Sequence, residues 1–200
     1  QQVNLAIRHQ NANNASLPEI AVIWRHTSPL TAADLNALSL SAKIACDFEL
    51  ANLLSEDLLI PRLVADSKIS AINELADSLH RSGIVTDRLS FLQSVLEREN
   101  LQSTILGGNV ALPHARSRAA SRLGLALATM DQPIDFPSGD DRCAVQLICL
   151  IAVPAHAPDL YLSLLASLAR ILSDANLKRG LLNAATAGNI HRLLTEPKLS

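Results

Sequence analysis

The sequence is poor in aromatic residues: three Phe, one Tyr and one Trp make up 2% of its 200 residues. Proteins that bind nucleic acid usually stack bases on aromatic rings and carry clustered positive charge. The formal net charge here is -2, from 17 Lys and Arg against 19 Asp and Glu. Both shortages argue against a nucleic-acid partner.

Long apolar runs are also missing. The longest run, Ala144–Val153, is interrupted by Gln146 and covers about half of the roughly 20 residues that a transmembrane helix needs. We therefore expect no direct membrane insertion and interpret this run as a buried strand. The first residues contain no basic segment followed by an apolar one, so the sequence favours a cytoplasmic location over secretion.

Cysteine is scarce, and the three present, Cys46, Cys143 and Cys149, have no C-x-x-C spacing. An odd number with this spacing indicates reduced core residues rather than disulfides or a metal site. The six histidines lack metal-ligand spacing as well. No P-loop, dinucleotide fingerprint or nucleophile elbow is present. We therefore expect neither a metal ion nor a cofactor.

The hydrophobic content of 48% is enough for a folded core. Residues 1–52 are predicted to form an N-terminal extension, with a strand near Ile20–Trp24 and a helix from Thr31 that reaches about Leu54. Residues 53–196 are predicted to form one domain. Apolar residues at helical spacing predict helices over 69–79, 89–98, 161–172, 177–185 and 189–194, with Asp159 capping the third of these.

Two strands are predicted between these helices. Leu123, Leu125 and Leu127 alternate with smaller residues, and Ala144–Val153 follows as a continuous apolar strand. Pro133, Pro137 and residues 138–141 are predicted to form turns between them. Helices before and after buried strands are typical of an α/β fold. We expect a mixed β-sheet flanked by helices on both faces, in a single layered domain with the N-terminal extension.

The segment Ser103–Arg116 contains the residues best suited to chemistry. Gly107 and Gly108 permit a tight turn, and residues 110–112 form a short apolar strand. Pro113 then fixes the backbone, so that the His114 side chain leaves the strand end in a defined direction. Taken alone, the segment leaves two interpretations open: a functional imidazole, or a structural one with two hydrogen-bond partners.

Several separated motifs occur together with this segment. They are Gly83-Ile84-Val85, Glu97-Arg98-Glu99, Ser103–His114, Pro133-Ile134-Asp135-Phe136 and the helix Leu164–Arg170. In order and spacing they resemble the enzyme IIA domains of the bacterial phosphoenolpyruvate-dependent phosphotransferase system, of the fructose/mannitol and nitrogen-regulatory type. The resemblance extends from about Leu54 to Leu194.

The resemblance implies a phosphocarrier in which His114 accepts a phosphoryl group from an HPr-like phosphodonor and passes it to an enzyme IIB-type acceptor. A neutral imidazole nitrogen is a nucleophile at pH 7, so this step needs no metal ion or nucleotide. We expect one ring nitrogen to bond a backbone carbonyl, which fixes the tautomer. The other nitrogen is expected to face solvent and take the phosphoryl group.

Three further residues are site candidates because the transferred group carries nearly two negative charges. Arg98 matches the arginine of the family's Arg-Glu motif, and the alternative is a surface ion pair with Glu97 or Glu99. Thr104 is a candidate hydrogen-bond donor near the ring, or else a turn residue. Arg116 is a candidate contact for the phosphoryl group or an acidic partner, or else an ordinary solvated arginine.

Tyr161 marks a departure from the family pattern, which usually has a second histidine at this helix position. A phenol can donate a hydrogen bond to a phosphoryl group, but it cannot become a cation. His156 is a candidate substitute, although a surface loop position is favoured for it. Two alternatives therefore stay open: a regulatory module that senses phosphorylation state or controls a transporter without onward transfer, and an inert structural relative.

Overall fold

The computed structural model describes residues 53–107, 109–138, 141–156 and 158–195. The 3-10 turn Glu56–Leu58 precedes the first strand. The strands are β1 (Leu59–Ile60), β2 (Ile105–Gly107), β3 (Val110–Ala111), β4 (His114–Ser117), β5 (Gly124–Ser138) and β6 (Asp141–Pro154). The helices are α1 (Lys68–Arg81), α2 (Arg88–Leu101), α3 (Pro158–Leu172), α4 (Ala175–Asn183) and α5 (Ala187–Thr195).

The strands form one mixed sheet in the order β1-β5-β6-β3-β2, and β4 also pairs with β6. The long strands β5 and β6 are antiparallel neighbours at its centre. Short strands run parallel to them on either side: β1 pairs with β5, while β3 and β4 pair with β6. The predicted mixed sheet is confirmed.

Side chains that alternate along β5 and β6 form two cores, one on each face of the sheet. Ala126 and Ile148 pack with the buried residues of α1 and α2. Leu127 and Cys149, next to them in sequence, pack with α3, α4 and α5 on the opposite face. Successive residues of a strand point to opposite faces. Helices therefore cover both faces of the sheet, as predicted.

Local signals set the ends of the first two helices. Ser67 caps α1 by accepting a bond from the Ser70 backbone N–H, and the Ser70 side chain bonds back to the Ser67 N–H. Gly83 follows the helix with a φ of +71°, a conformation that glycine adopts without strain. Asp87 caps α2 by accepting from the Ser90 N–H. These signals set the start of both helices and the end of α1.

The predicted turn positions at Pro133 and Pro137 are wrong, because β5 continues to Ser138 and includes both prolines. Residues 139–140, which belonged to the same prediction, lie outside the described residues. The β5–β6 register shifts between Thr129 and Ile134, so Pro133 lies in an irregular stretch where its missing N–H breaks no regular ladder. Pro137 lies opposite Arg142, close to the hairpin end. Proline is tolerated at such positions.

Several other predictions can be located. Cys149 is buried and Cys143 partly buried, and both are free, as predicted for core cysteines.

Helix α3 begins at Pro158, so Asp159 lies inside its first turn rather than before it. The strand near Ile20–Trp24, the helix from Thr31 and Cys46 lie outside the described residues. Of the helices that the structure describes, none is long and apolar enough to span a bilayer.

Candidate functional site

His114 lies at a break between two short strands. Strands β3 and β4 both run parallel to β6, and residues 112–113 interrupt them. The Pro113 carbonyl accepts a hydrogen bond from the Ile151 N–H at 2.9 Å, which keeps the break attached to the sheet. His114 is thus the first residue of β4, rather than the residue after a strand end as expected. Pairing with Ile151 fixes its backbone.

The face of the sheet on which His114 lies follows from strand alternation. The next residue, Ala115, packs in the core beneath α1 and α2. His114 therefore points to the opposite face, where α3 packs. Its side chain is nearly enclosed, since only 8% of the residue is exposed. The expectation of a solvent-facing ring is wrong.

One ring nitrogen bonds a backbone carbonyl, as expected. Nδ1 of His114 lies 2.9 Å from the Leu112 carbonyl oxygen. A carbonyl oxygen only accepts hydrogen bonds, so Nδ1 must carry the proton that is donated. Nε2 is then the nitrogen with the free lone pair. The backbone of the loop before His114 thus selects which nitrogen can act as the nucleophile.

Tyr161, in α3, contacts that nucleophilic nitrogen directly. Its hydroxyl oxygen lies 2.8 Å from Nε2 of His114, and the ring centroids are 5.0 Å apart. Because Nε2 has no proton in this tautomer, the phenol donates and Nε2 accepts. The nitrogen that was expected to face solvent is therefore occupied by the Tyr161 hydroxyl.

Burial keeps both partners neutral. It lowers the pKa of His114 from 6.5 to about 4, against the opposing effect of the Leu112 bond and with a smaller contribution from the Arg98 charge. Burial also raises the pKa of Tyr161 from 10.0 to about 12, and the Arg98 charge opposes that rise. At pH 7 the pair is a neutral imidazole with its lone pair held by a neutral phenol.

Arg98 lies close enough for its charge to affect both pKa values. Its Nη1 donates to the Gln102 carbonyl at 2.9 Å, across the turn that follows α2. Neither of the alternative ion pairs, with Glu97 or with Glu99, is formed. The guanidinium supplies positive charge near the imidazole while it fixes the turn.

Thr104 bonds a carboxylate instead of donating toward the ring. Its Oγ1 donates to Oε2 of Glu99 at 2.7 Å, and its backbone N–H donates to Oε1 at 3.2 Å. The expected donation near the imidazole is wrong, because the hydroxyl proton is already used. The sequence introduced Glu99 only as a possible ion-pair partner of Arg98, so its bonds to Thr104 were not predicted. One feature of the sequence does point to Glu99: helical spacing places its carboxylate in the buried stripe of α2 with Phe91 and Val95, where an apolar residue is expected.

Arg116 and His156 stand at the margin of the site. Arg116 shares a strand face with His114, is exposed, and donates from Nη2 to the Ala155 carbonyl at 2.7 Å. That bond joins β4 to the turn before α3. His156 is exposed in the same turn, as favoured by the sequence. Among the residues that the structure describes, no cluster of His, Cys, Asp and Glu is arranged to hold a metal ion.

Comparisons with known proteins give a consistent result. Residues 52–196 match the family described as "Phosphoenolpyruvate-dependent sugar phosphotransferase system, EIIA 2". The fructose-specific EIIA component of Haloferax volcanii is 34% identical over 130 residues, covering 65% of this chain and 84% of that protein. The nitrogen regulatory protein of Bradyrhizobium diazoefficiens is 32% identical over 146 residues, covering 73% and 94%.

A solved structure has the same fold. It is the complex of enzyme IIA and phosphorylated enzyme IIB of the Escherichia coli mannitol system, whose IIA chain superposes with a TM-score of 0.61. That match covers 70% of this chain and 96% of the other, at 22% identity. The arrangement of β-sheet and helices is therefore shared.

Proposed function

Because the chain belongs to the EIIA type 2 family of the phosphoenolpyruvate-dependent sugar phosphotransferase system, we propose that His114 is the residue that carries the phosphoryl group. Members of this family are phosphotransferase components that act through a phosphohistidine. The observation that carries the assignment is the fixed tautomer: the Nδ1 bond to Leu112 leaves Nε2 as the nucleophile. A pKa of about 4 keeps the ring neutral at pH 7.

The transfer step is a simple displacement at phosphorus. The Nε2 lone pair of His114 forms a bond to the phosphorus of a phosphohistidine on an HPr-like donor. The donor's N–P bond breaks, and its electron pair stays on the donor imidazole. The Nδ1–H of His114 remains bonded to Leu112 and stabilises the phosphorylated ring. Onward transfer to an enzyme IIB-type acceptor reverses these roles.

The Tyr161 hydroxyl has a different hydrogen-bond partner before and after phosphoryl transfer. In the resting state its hydroxyl occupies Nε2, so the phenol must move aside before phosphorus can approach. After transfer, the same hydroxyl donates to a phosphoryl oxygen in place of the lone pair. Arg98 supports the added negative charge from its place near both rings. Arg116, exposed beside the α3 turn, is assigned to contact with the partner protein.

The partners and location follow from the same proposal. The mannitol-system relative forms a complex with phosphorylated IIB, and we assign an acceptor of that class here. The donor is an HPr-like protein, and a cytoplasmic location places the chain with both partners. Residues 53–196 form the phosphocarrier domain, close to the matched segment 52–196, and residues 1–52 form an extension.

Phosphoryl transfer from phosphoenolpyruvate tests this assignment. The chain is incubated with phosphoenolpyruvate, enzyme I and HPr, and mass spectrometry detects an acid-labile, base-stable phosphoryl adduct. His114→Ala should abolish the adduct. His156→Ala, which removes an exposed histidine from the turn before α3, should keep it. An adduct that survives in His114→Ala, or none in the wild type, contradicts the proposal.

Variants of Tyr161 test its role after transfer. Tyr161→Phe keeps the ring and removes the donor, so the phosphorylated protein should lose its label about tenfold faster, the effect of one charge-assisted hydrogen bond. Tyr161→His restores a donor that can become a cation and should raise the transfer rate. Equal label lifetimes in Tyr161→Phe and the wild type would refute the hydrogen bond to the phosphoryl group.

The second candidate function is a regulatory module that senses phosphorylation state or controls a transporter without onward transfer. The bond between Tyr161 and Nε2 favours it, because the resting nucleophile is blocked. The nitrogen regulatory relative is similar over most of its length. Adding an IIB domain to the labelled chain separates the two functions. Label that moves to IIB indicates a carrier, and label that stays indicates the regulatory module.

A further inference from the structure

Glu99 is a buried carboxylate in the last turn of α2 that the phosphoryl-transfer step does not use. Only 3% of the residue is exposed. Both of its oxygens accept hydrogen bonds from one residue, Thr104, through the hydroxyl at 2.7 Å and the backbone N–H at 3.2 Å. A buried charge is retained only where such partners compensate for the loss of water. The carboxylate therefore has a fixed partner across the loop between α2 and β2.

Lys68 supplies the opposite charge. Its Nζ lies 3.9 Å from Oε1 of Glu99, and its side chain is only 14% exposed. The same ammonium donates to the Pro137 carbonyl at 3.3 Å and lies 5.0 Å from the Phe136 ring centroid. Glu99 is thus attached to the start of α1 and to the end of β5. The loop that it holds is fixed relative to the body of the domain.

From Thr104, two further hydrogen bonds lead to the imidazole. The Thr104 carbonyl accepts the Leu112 N–H at 3.0 Å. The Leu112 carbonyl accepts the Nδ1–H of His114 at 2.9 Å. This last carbonyl is the group that selects the tautomer with a free Nε2. Its position depends on the strand pairing that begins at Thr104.

We propose that Glu99 is a positioning residue for phosphoryl transfer at His114: it holds Thr104, Thr104 holds Leu112, and the Leu112 carbonyl sets the ring orientation and tautomer. This inference rests on the proposed function. Glu99 does not touch the phosphoryl group, because Thr104 and Lys68 occupy its oxygens. Loss of the Glu99 carboxylate changes the orientation of Nε2 and leaves the surface that contacts the donor protein unchanged.

Glu99→Gln tests the proposal because it keeps the shape and removes the charge and one acceptor oxygen. The matched control is Glu97→Gln on the same helix, where the exposed carboxylate accepts only from Gln93 among the described residues. The phosphoryl-acceptance rate from phosphorylated HPr should fall roughly ten- to hundredfold in kcat for Glu99→Gln, with KM unchanged, as expected when a reacting atom is misplaced. Glu97→Gln should match the wild type.

A second pair of variants separates positioning from general loss of stability. Thr104→Val removes the 2.7 Å hydroxyl bond and keeps the backbone bond, whereas Thr104→Ser keeps both. We expect Thr104→Val to lower kcat, less than Glu99→Gln does, and Thr104→Ser to restore it. Urea unfolding is measured for each variant, and kinetics are recorded where all are folded. Wild-type kcat in Glu99→Gln, even with lowered stability, overturns the proposal.

Nitrogen NMR of the His114 ring provides a readout that needs no phosphoryl donor. In the wild type the protonated Nδ1 and the unprotonated Nε2 should give well-separated 15N shifts. That separation should shrink in Glu99→Gln as the tautomers mix, and stay unchanged in Glu97→Gln. If the wild type accepts no phosphoryl group but the shifts respond this way, the proposed function fails, while the control of the His114 ring tautomer by Glu99 stands. Unchanged shifts in Glu99→Gln refute the positioning role alone.

Discussion

His114 is held neutral in the folded protein, and this makes the stability of the fold depend on pH in a specific window. The folded-state pKa is about 4, against 6.5 for an unperturbed histidine. A folded pKa below the unfolded value means that the unfolded chain binds more protons between pH 4 and pH 6.5. Stability from this residue is therefore complete above pH 6.5 and is lost as the pH falls toward 4.

The size of the loss follows from the two pKa values. A pH of 5 is about 1.5 units below the pKa of the unfolded histidine, whereas the folded ring is still mostly neutral at that pH. At about 1.4 kcal/mol per pH unit, the free energy of unfolding falls by about 2 kcal/mol. Only 8% of His114 is exposed, so solvent screening does not remove this effect. Other groups also titrate in this range, so the pH dependence of the wild type must be compared with that of a variant that lacks the imidazole.

His114→Gln is that variant, because an amide N–H can still donate to Leu112. Urea unfolding followed by circular dichroism is measured for both proteins at pH 7 and pH 5. The wild type should lose about 2 kcal/mol more than His114→Gln between these values. An NMR titration of the ring should place its midpoint near pH 4. Equal pH dependence in the two proteins, or a midpoint near 6.5, would refute the burial argument.

Two other predictions follow from the structure. Tyr161 is the single tyrosine of the chain, so phenolate absorbance reports on it alone, with an expected midpoint near 12 that returns to about 10 in urea; a midpoint near 10 in the folded protein would contradict its burial. Gly124→Ala should destabilise the fold by about 1–3 kcal/mol, because the added Cβ would lie 2.5 Å from Cγ2 of Ile84. Gly180→Ala is the control, since the Cβ there would lie 3.4 Å from Leu193 and the change should be neutral or stabilising by up to about 1 kcal/mol; equal losses in urea unfolding would reject the steric explanation.

Periodicity was sufficient to predict the layers of the fold. The apolar run Ala144–Val153 is the centre of β6, and the helices fall close to their predicted ranges because each buries a regular apolar stripe. Periodicity failed at positions that depend on tertiary contacts. Ile69 and Leu89 belong to the predicted stripes but are 58% and 67% exposed, since both lie in the first turn of their helices. Pro133 and Pro137 were interpreted as turn residues, and the β5 irregularity that accommodates Pro133 has no signal in the local sequence.

The site was predictable only in part, for a physical reason. The motifs identified His114, Arg98 and Tyr161, and the structure brings the charge of Arg98 and the hydroxyl of Tyr161 to the imidazole. Hydrogen-bond partners depend on distances in three dimensions, which spacing along the chain does not determine. Two partners could therefore not be predicted from spacing: the Thr104 hydroxyl bonds Glu99 instead of the ring, and the Tyr161 hydroxyl bonds Nε2 of His114.

The Tyr161 bond links the resting structure to the choice between carrier and regulatory module. A phenol that donates to Nε2 must be displaced for each phosphoryl transfer, and a neutral hydrogen bond contributes about 0.5–1.5 kcal/mol. That energy corresponds to roughly a twofold to tenfold reduction in the fraction of chains with a free nucleophile. A docked donor protein offers far more binding energy than this. Displacement therefore limits encounters without a specific partner much more than it limits transfer within a docked complex.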